Sequence, residues 1–180
     1  MECEVNELIK THSVIVNSLH HYVTYEVLAG LLERNECSNV FWNYTAKAHI
    51  IQSIIHWCMA FCNNKQLKDR WMSLEPFNDL ELDSIFKIQL LTTTNFQSEV
   101  EWRAFYEEIV KYRDDFVTHR SMVSGITAIP LAAAAYEFVI FYDRFVREYI
   151  NPDFLRGNTF KVTAQEYEKD VVNQLNSLCK

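Results

Sequence analysis

The residues best suited to chemistry lie together in the string Lys111-Tyr112-Arg113-Asp114-Asp115-Phe116-Val117-Thr118-His119-Arg120. A guanidinium can brace an oxyanion through two parallel N–H bonds. An imidazole, with an unperturbed pKa of about 6.5, can take and return a proton near neutral pH. At about 100° per residue, Trp102, Phe105, Tyr106, Ile109 and Phe116 line one face of a helix, and Arg113 falls in the middle of that stripe. Arginine cannot shed its charge, so in that position it needs an acidic partner, a bound anion or a wet protein surface facing it. Two outcomes stay open: a core carboxylate such as Glu137 neutralises it, or it faces a second copy of the chain. His119 lies on the flank of the stripe, with Asp115 one turn before it on the same face. A carboxylate there orients the imidazole and raises its pKa. Arg120 returns to the middle of the stripe.

These residues need a scaffold, and apolar spacing of three and four residues supplies one along most of the chain. It predicts helices over residues 5–34, 40–62, 80–91, 96–122, 130–150 and 163–178. The second is apolar round most of its circumference, which places it in the centre of a bundle. Thr92 to Asn95 offer capping groups for the fourth helix. Pro130 fits the first turn of the fifth. Thr163 to Glu166 read as a capping box for the sixth. The expectation is one domain over residues 1–180, an all-α, up-and-down bundle of five to six helices.

Composition agrees. Glycine and proline together make up six of 180 residues, too few for the frequent turns of an all-β chain. Twelve Phe, nine Tyr and four Trp give ample apolar area to offset the ordering entropy, which excludes a disordered chain. The net charge of -7 excludes one broad basic face for nucleic acid but leaves room for a small basic cleft. Five cysteines cannot close a disulfide framework, and the acidic start lacks a signal-peptide pattern, so the expected compartment is cytoplasmic with reduced thiols. The longest apolar stretch, residues 131–142, is too short to span a membrane and contains Glu137.

The string from Lys111 to Arg120 resembles the motif of the HEPN superfamily, in which an Arg is followed after four to six residues by a His, with a polar residue directly after the Arg. Asp114 takes that polar position. The stretch Ile55-His56-Trp57-Cys58-Met59-Ala60-Phe61 is similar to the second-helix region of HEPN proteins from phage-defence neighbourhoods. The resemblance covers residues 40–150, and its sharp part is the seven residues from Arg113 to His119. It implies a metal-independent endoribonuclease acting in defence or growth arrest, with no cofactor. His119 would move the proton, Arg113 would brace the phosphate, and Asp114 or Asp115 would orient one of them. Six residues on one helix turn Arg113 and His119 about 120° apart. The family solves this by pairing two copies across a two-fold cleft, so a homodimer with RNA as substrate is part of the expectation. Pairing would also double Lys111, Arg113 and Arg120 in one groove. A cognate antitoxin is implied as a partner, but Ser121 stands two residues after the His where nucleotidyl-modified members carry tyrosine. The alternative is a non-catalytic module of the same fold that binds a nucleotide or a protein.

Other candidates are weaker. Cys58 and Cys62, with His49 and His56 near them, read as core packing rather than as zinc ligands. His20-His21 read as surface residues, because neighbours on a helix diverge. Glu107-Glu108 read as a solvated face. Trp102, Phe105, Tyr106 and Tyr112 read as core before they read as base-stacking platforms. No glycine-rich phosphate loop or Gly-x-Ser-x-Gly elbow occurs.

Overall fold

In the computed structural model the residues described are 2–34, 40–62, 80–119, 125–149, 152 and 157–178, with side chains from His12 in the first helix and up to Phe116 in the fourth. They form six helices: α1 (Glu2–Glu33), α2 (Val40–Phe61), α3 (Leu80–Thr93), α4 (Glu99–His119), α5 (Gly125–Tyr149) and α6 (Phe160–Leu178). There is no strand among the described residues. The chain is an all-α helical bundle, as the spacing predicts.

The central helix is α5, which packs against each of the other five. The sequence reading placed α2 there, and that is corrected. Mean apolarity misleads at the start of α2, where Val40, Phe41 and Tyr44 are exposed. Meanwhile α5 presents small Ala128, Ala132 and Ala135 at close approaches and large Phe138, Phe141 and Phe145 between its neighbours, all buried. Trp57 of α2 sits at the heart of the core, 1% exposed. Its ring lies 5.2 to 5.6 Å from those of Phe61, Phe105 and Phe138, the last two edge-on. Phe138 in turn stacks on Trp102 of α4 at 4.9 Å. This aromatic cluster joins α2, α4 and α5, and so fixes the rotation of α4 about its own axis.

Helix ends differ from the sequence expectation for local reasons. Thr92, Thr93 and Thr94 turn their hydroxyls back on the carbonyls of Ile88, Gln89 and Leu90, so they finish α3 instead of starting α4. Ser98 caps α4 by accepting the Glu101 N–H, and the Glu101 carboxylate accepts the N–H of Gln97, a reciprocal cap. Pro130 is the sixth residue of α5 and not part of its first turn; it is exposed. The sixth helix begins at Phe160, where Thr159 accepts the Val162 N–H and replaces the expected Thr163 box.

The start of α6 is also held from a distance. Asp143 of α5 is 5% exposed. One of its carboxylate oxygens accepts the Phe160 N–H at 2.9 Å, and the other accepts Arg147 Nε at 2.9 Å. Arg147 continues to the Asn158 carbonyl at 3.1 Å. A buried carboxylate at a helix N-terminus, with its own counter-charge, pins α6 to α5.

Candidate functional site

The aromatic stripe of α4 is real. Trp102, Phe105, Ile109 and Tyr112 are buried, while Tyr106 and Phe116 are partly so. The first three of the four aromatics weighed as stacking platforms therefore divide into core (Trp102, Phe105) and core margin (Tyr106), and Tyr112 is core. Arg113 occupies the margin as well, with 25% of its side chain exposed. Its guanidinium is held from one edge: Nε lies 2.8 Å and Nη2 2.7 Å from Oδ1 of Asp114. Glu137 does not reach it; that carboxylate accepts Asn95 Nδ2 at 2.7 Å. Successive residues on a helix do not face each other. The long arginine stem nevertheless lets its head curl back to the next residue.

Lys111 and Asp114 are exposed and Asp115 is partly buried. The backbone of α4 runs unbroken through His119, so residues 113 and 119 leave the helix about 120° apart. The His119 side chain and all of Arg120 lie outside the described residues, as does Ser121. Glu107 and Glu108 are exposed, as a solvated face requires.

A second cluster was not foreseen. Cys58 is fully buried, and Cys62 is partly exposed just past the end of α2. The Cys58 thiol donates to the Ile109 carbonyl of α4 at 3.8 Å, while its neighbour Cys58, with Tyr106 and Arg113, draws the Cys62 thiol below its ordinary pKa against its own burial. The Cys-x-x-x-Cys spacing was visible in the sequence. Its approach to α4 was not, because that depends on how two helices pack.

No family model, no curated protein and no solved structure matches the chain.

The histidines of α1 require a correction. His20 and His21 do diverge, but each is partly buried against another helix and neither is a free surface side chain. His20 stacks on Tyr167 of α6 with ring centroids 3.9 Å apart. His21 turns to α2, where its Nδ1 lies 2.9 Å from Nδ1 of His49 and its ring stacks on His56 at 5.2 Å. No group of three or more His, Cys, Asp and Glu among the described residues is arranged to hold a metal ion. Burial, with His49, His56 and His20 adding like charge, drives the His21 pKa down to about 4. Burial also lowers His49, His20 and His12. A histidine depressed in the folded state stays neutral there while the unfolded chain takes up protons. Stability is then full above about pH 6.5 and declines as pH falls from there toward 4. The melting temperature is expected to drop steadily between pH 7 and pH 4.5. His21→Gln should flatten that decline, read by thermal melts across the range.

An open groove of about 780 Å³ lies between the α3–α4 turn, α5 and the start of α6. Asn95, Glu137, Arg144, Arg147, Glu148 and Lys161 line it with mixed charge. None of its lining residues belongs to α4, so it is separate from the Arg113 site. No described helix is long and apolar enough to cross a membrane.

Proposed function

We propose that the chain is a HEPN-like endoribonuclease that cleaves RNA without metal, acting in defence or growth arrest. One observation carries the reading. Arg113, on the rim of an otherwise buried stripe, is braced by the residue directly after it, and His119 follows six residues later on the same unbroken helix. The resemblance assigns the residue after the Arg an orienting role, and the Asp114 contact supports that.

The chemistry needs few groups. His119 takes the proton of a ribose 2′-hydroxyl, whose oxygen attacks the neighbouring phosphorus. The 5′-oxygen leaves and takes up a proton, and a cyclic phosphate remains. Arg113 stabilises the charge that grows on the phosphate oxygens. Asp114 fixes the guanidinium plane so that less side-chain entropy is lost when phosphate arrives. Asp115, one turn before His119, orients the imidazole. In a two-fold homodimer Lys111, Arg113 and Arg120 of both copies flank one cleft, giving an acidic chain a local basic site.

A non-catalytic module that binds a nucleotide or a protein is the second reading. It is favoured by the same Asp114 contact, since a guanidinium already neutralised has less attraction for phosphate. RNA incubated with the protein in EDTA separates the two. Cleavage is expected, and His119→Ala should slow it by about 10² to 10⁴-fold. Arg113→Ala should also abolish most of it. Cleavage that survives both substitutions contradicts the assignment, and so does a wild-type protein that binds RNA without cutting it.

A further inference from the structure

The groove beside the start of α6 gathers charges that the fold does not use. Its floor is a strip of α5 left open between the α3–α4 turn and α6. Glu137 and Arg144 lie seven residues apart on that helix, which places them within about 20° of each other around its axis and about 10 Å apart along it. Ile140, partly buried, and Phe141, buried, line the floor between them. The strip is therefore apolar in its middle and oppositely charged at its two ends.

At the acidic end, one oxygen of Glu137 accepts Asn95 Nδ2 at 2.7 Å, and no donor among the described residues reaches the other oxygen. At the basic end, Arg144 and Lys161 are exposed, and neither forms an ion pair with a described acid. Arg147 beside them is already held by Asp143. Glu148 follows Arg144 by one turn, the less favourable order for an ion pair on a helix, and no bridge joins them. Charges scattered over a surface are ordinary. These converge on a concavity of about 780 Å³, within the size range of small-ligand sites.

We propose that this groove binds a free peptide of about three residues, its ammonium group at Glu137 and its carboxylate between Arg144 and Lys161.

The length follows from the spacing, because three extended residues reach about 10 Å. The sign of each end follows from the charges that lack partners. An inorganic anion satisfies Arg144 and Lys161 but leaves Glu137 empty, and a simple amine does the reverse. The Arg144 guanidinium can hold both oxygens of a carboxylate at once, and Lys161 adds a point charge from the opposite wall. Asn95 fixes the Glu137 carboxylate by one oxygen and leaves the other to accept an ammonium N–H. Ile140 offers an apolar rest to the middle side chain, so an aliphatic residue is favoured there.

Calorimetric titration of the full chain with alanyl-leucyl-alanine tests this without any RNA, so its outcome is independent of the endoribonuclease reading. Saturable one-to-one binding is expected. Blocking the peptide's N-terminus by acetylation, or its C-terminus by amidation, should each weaken binding about tenfold. Glu137→Gln should weaken the free peptide about tenfold and leave the acetylated one unaffected, and Arg144→Gln should do the same for the free and amidated peptides. Circular dichroism checks that each variant is folded. The proposal is overturned by the absence of saturable heat at millimolar peptide or by blocked peptides that bind as tightly as the free one. It is also overturned by inorganic phosphate binding as tightly as the peptide, which would leave the acidic end without a role.

Discussion

Trp57→Ala is expected to lower the unfolding free energy by about 3–5 kcal/mol, the usual loss for emptying a large aromatic site in a core. That is a large share of a total stability of about 5–15 kcal/mol. The site has little freedom to collapse. Phe61, Phe105 and Phe138 approach from three helices, and Phe138 is itself stacked on Trp102. Chemical denaturation with fluorescence or circular dichroism reads the loss. Trp57→Phe is the informative companion. It retains most of the apolar contact and removes Trp57 Nε1, a buried donor with no hydrogen-bond partner among the described residues. Its loss should be well below that of alanine. Equal losses in the two variants would mean that the indole N–H, and not the packing of the cluster, dominates the site.

Asp143→Ala is expected to be of similar size, about 3–5 kcal/mol, because it leaves a partly buried Arg147 without its acid. It also strips the Phe160 N–H of its acceptor, which should loosen the start of α6. Arg147→Ala should be destabilising too, since it strands the Asp143 carboxylate at 5% exposure. The double variant should lose less than the two single variants added together, as expected of residues acting as a pair. Strict additivity in that cycle would show that the two side chains do not act together.

These interactions mark where the sequence was legible. The apolar periodicity gave all six helices because each must bury a stripe, and that pressure is written along the chain every three to four residues. Helix starts were less legible. Ser98 and Thr159 are capping residues of the ordinary kind, yet Thr92 to Thr94 and Thr163 carry the same chemistry nearby. The start of α6 is selected by Asp143, 17 residues earlier, and no local pattern shows that. The centre of the bundle was misread because α2 is apolar on average, whereas closeness of packing depends on small residues, and those are in α5.

The candidate site divides in the same way. Arg113 on the stripe followed from helical geometry alone. Its partner Asp114 did not, because adjacent positions diverge on a helix and only the flexible side chain closes the distance. The thiols were visible as a spacing, but the contact of Cys58 with the Ile109 carbonyl arises from the packing of α2 against α4. The histidine pairs arise from α1 packing on α2 and α6.

The central claim is that Arg113 of one copy works with His119 of another, because one helix turns them too far apart to serve one phosphate. Mixing Arg113→Ala and His119→Ala proteins tests this most directly. Each alone should be inactive. After subunit exchange, half the dimers are mixed and each holds one intact composite site of two, so RNA cleavage should return to about a quarter of the wild-type rate. A mixture as inactive as its parents, despite demonstrated exchange, would contradict the account.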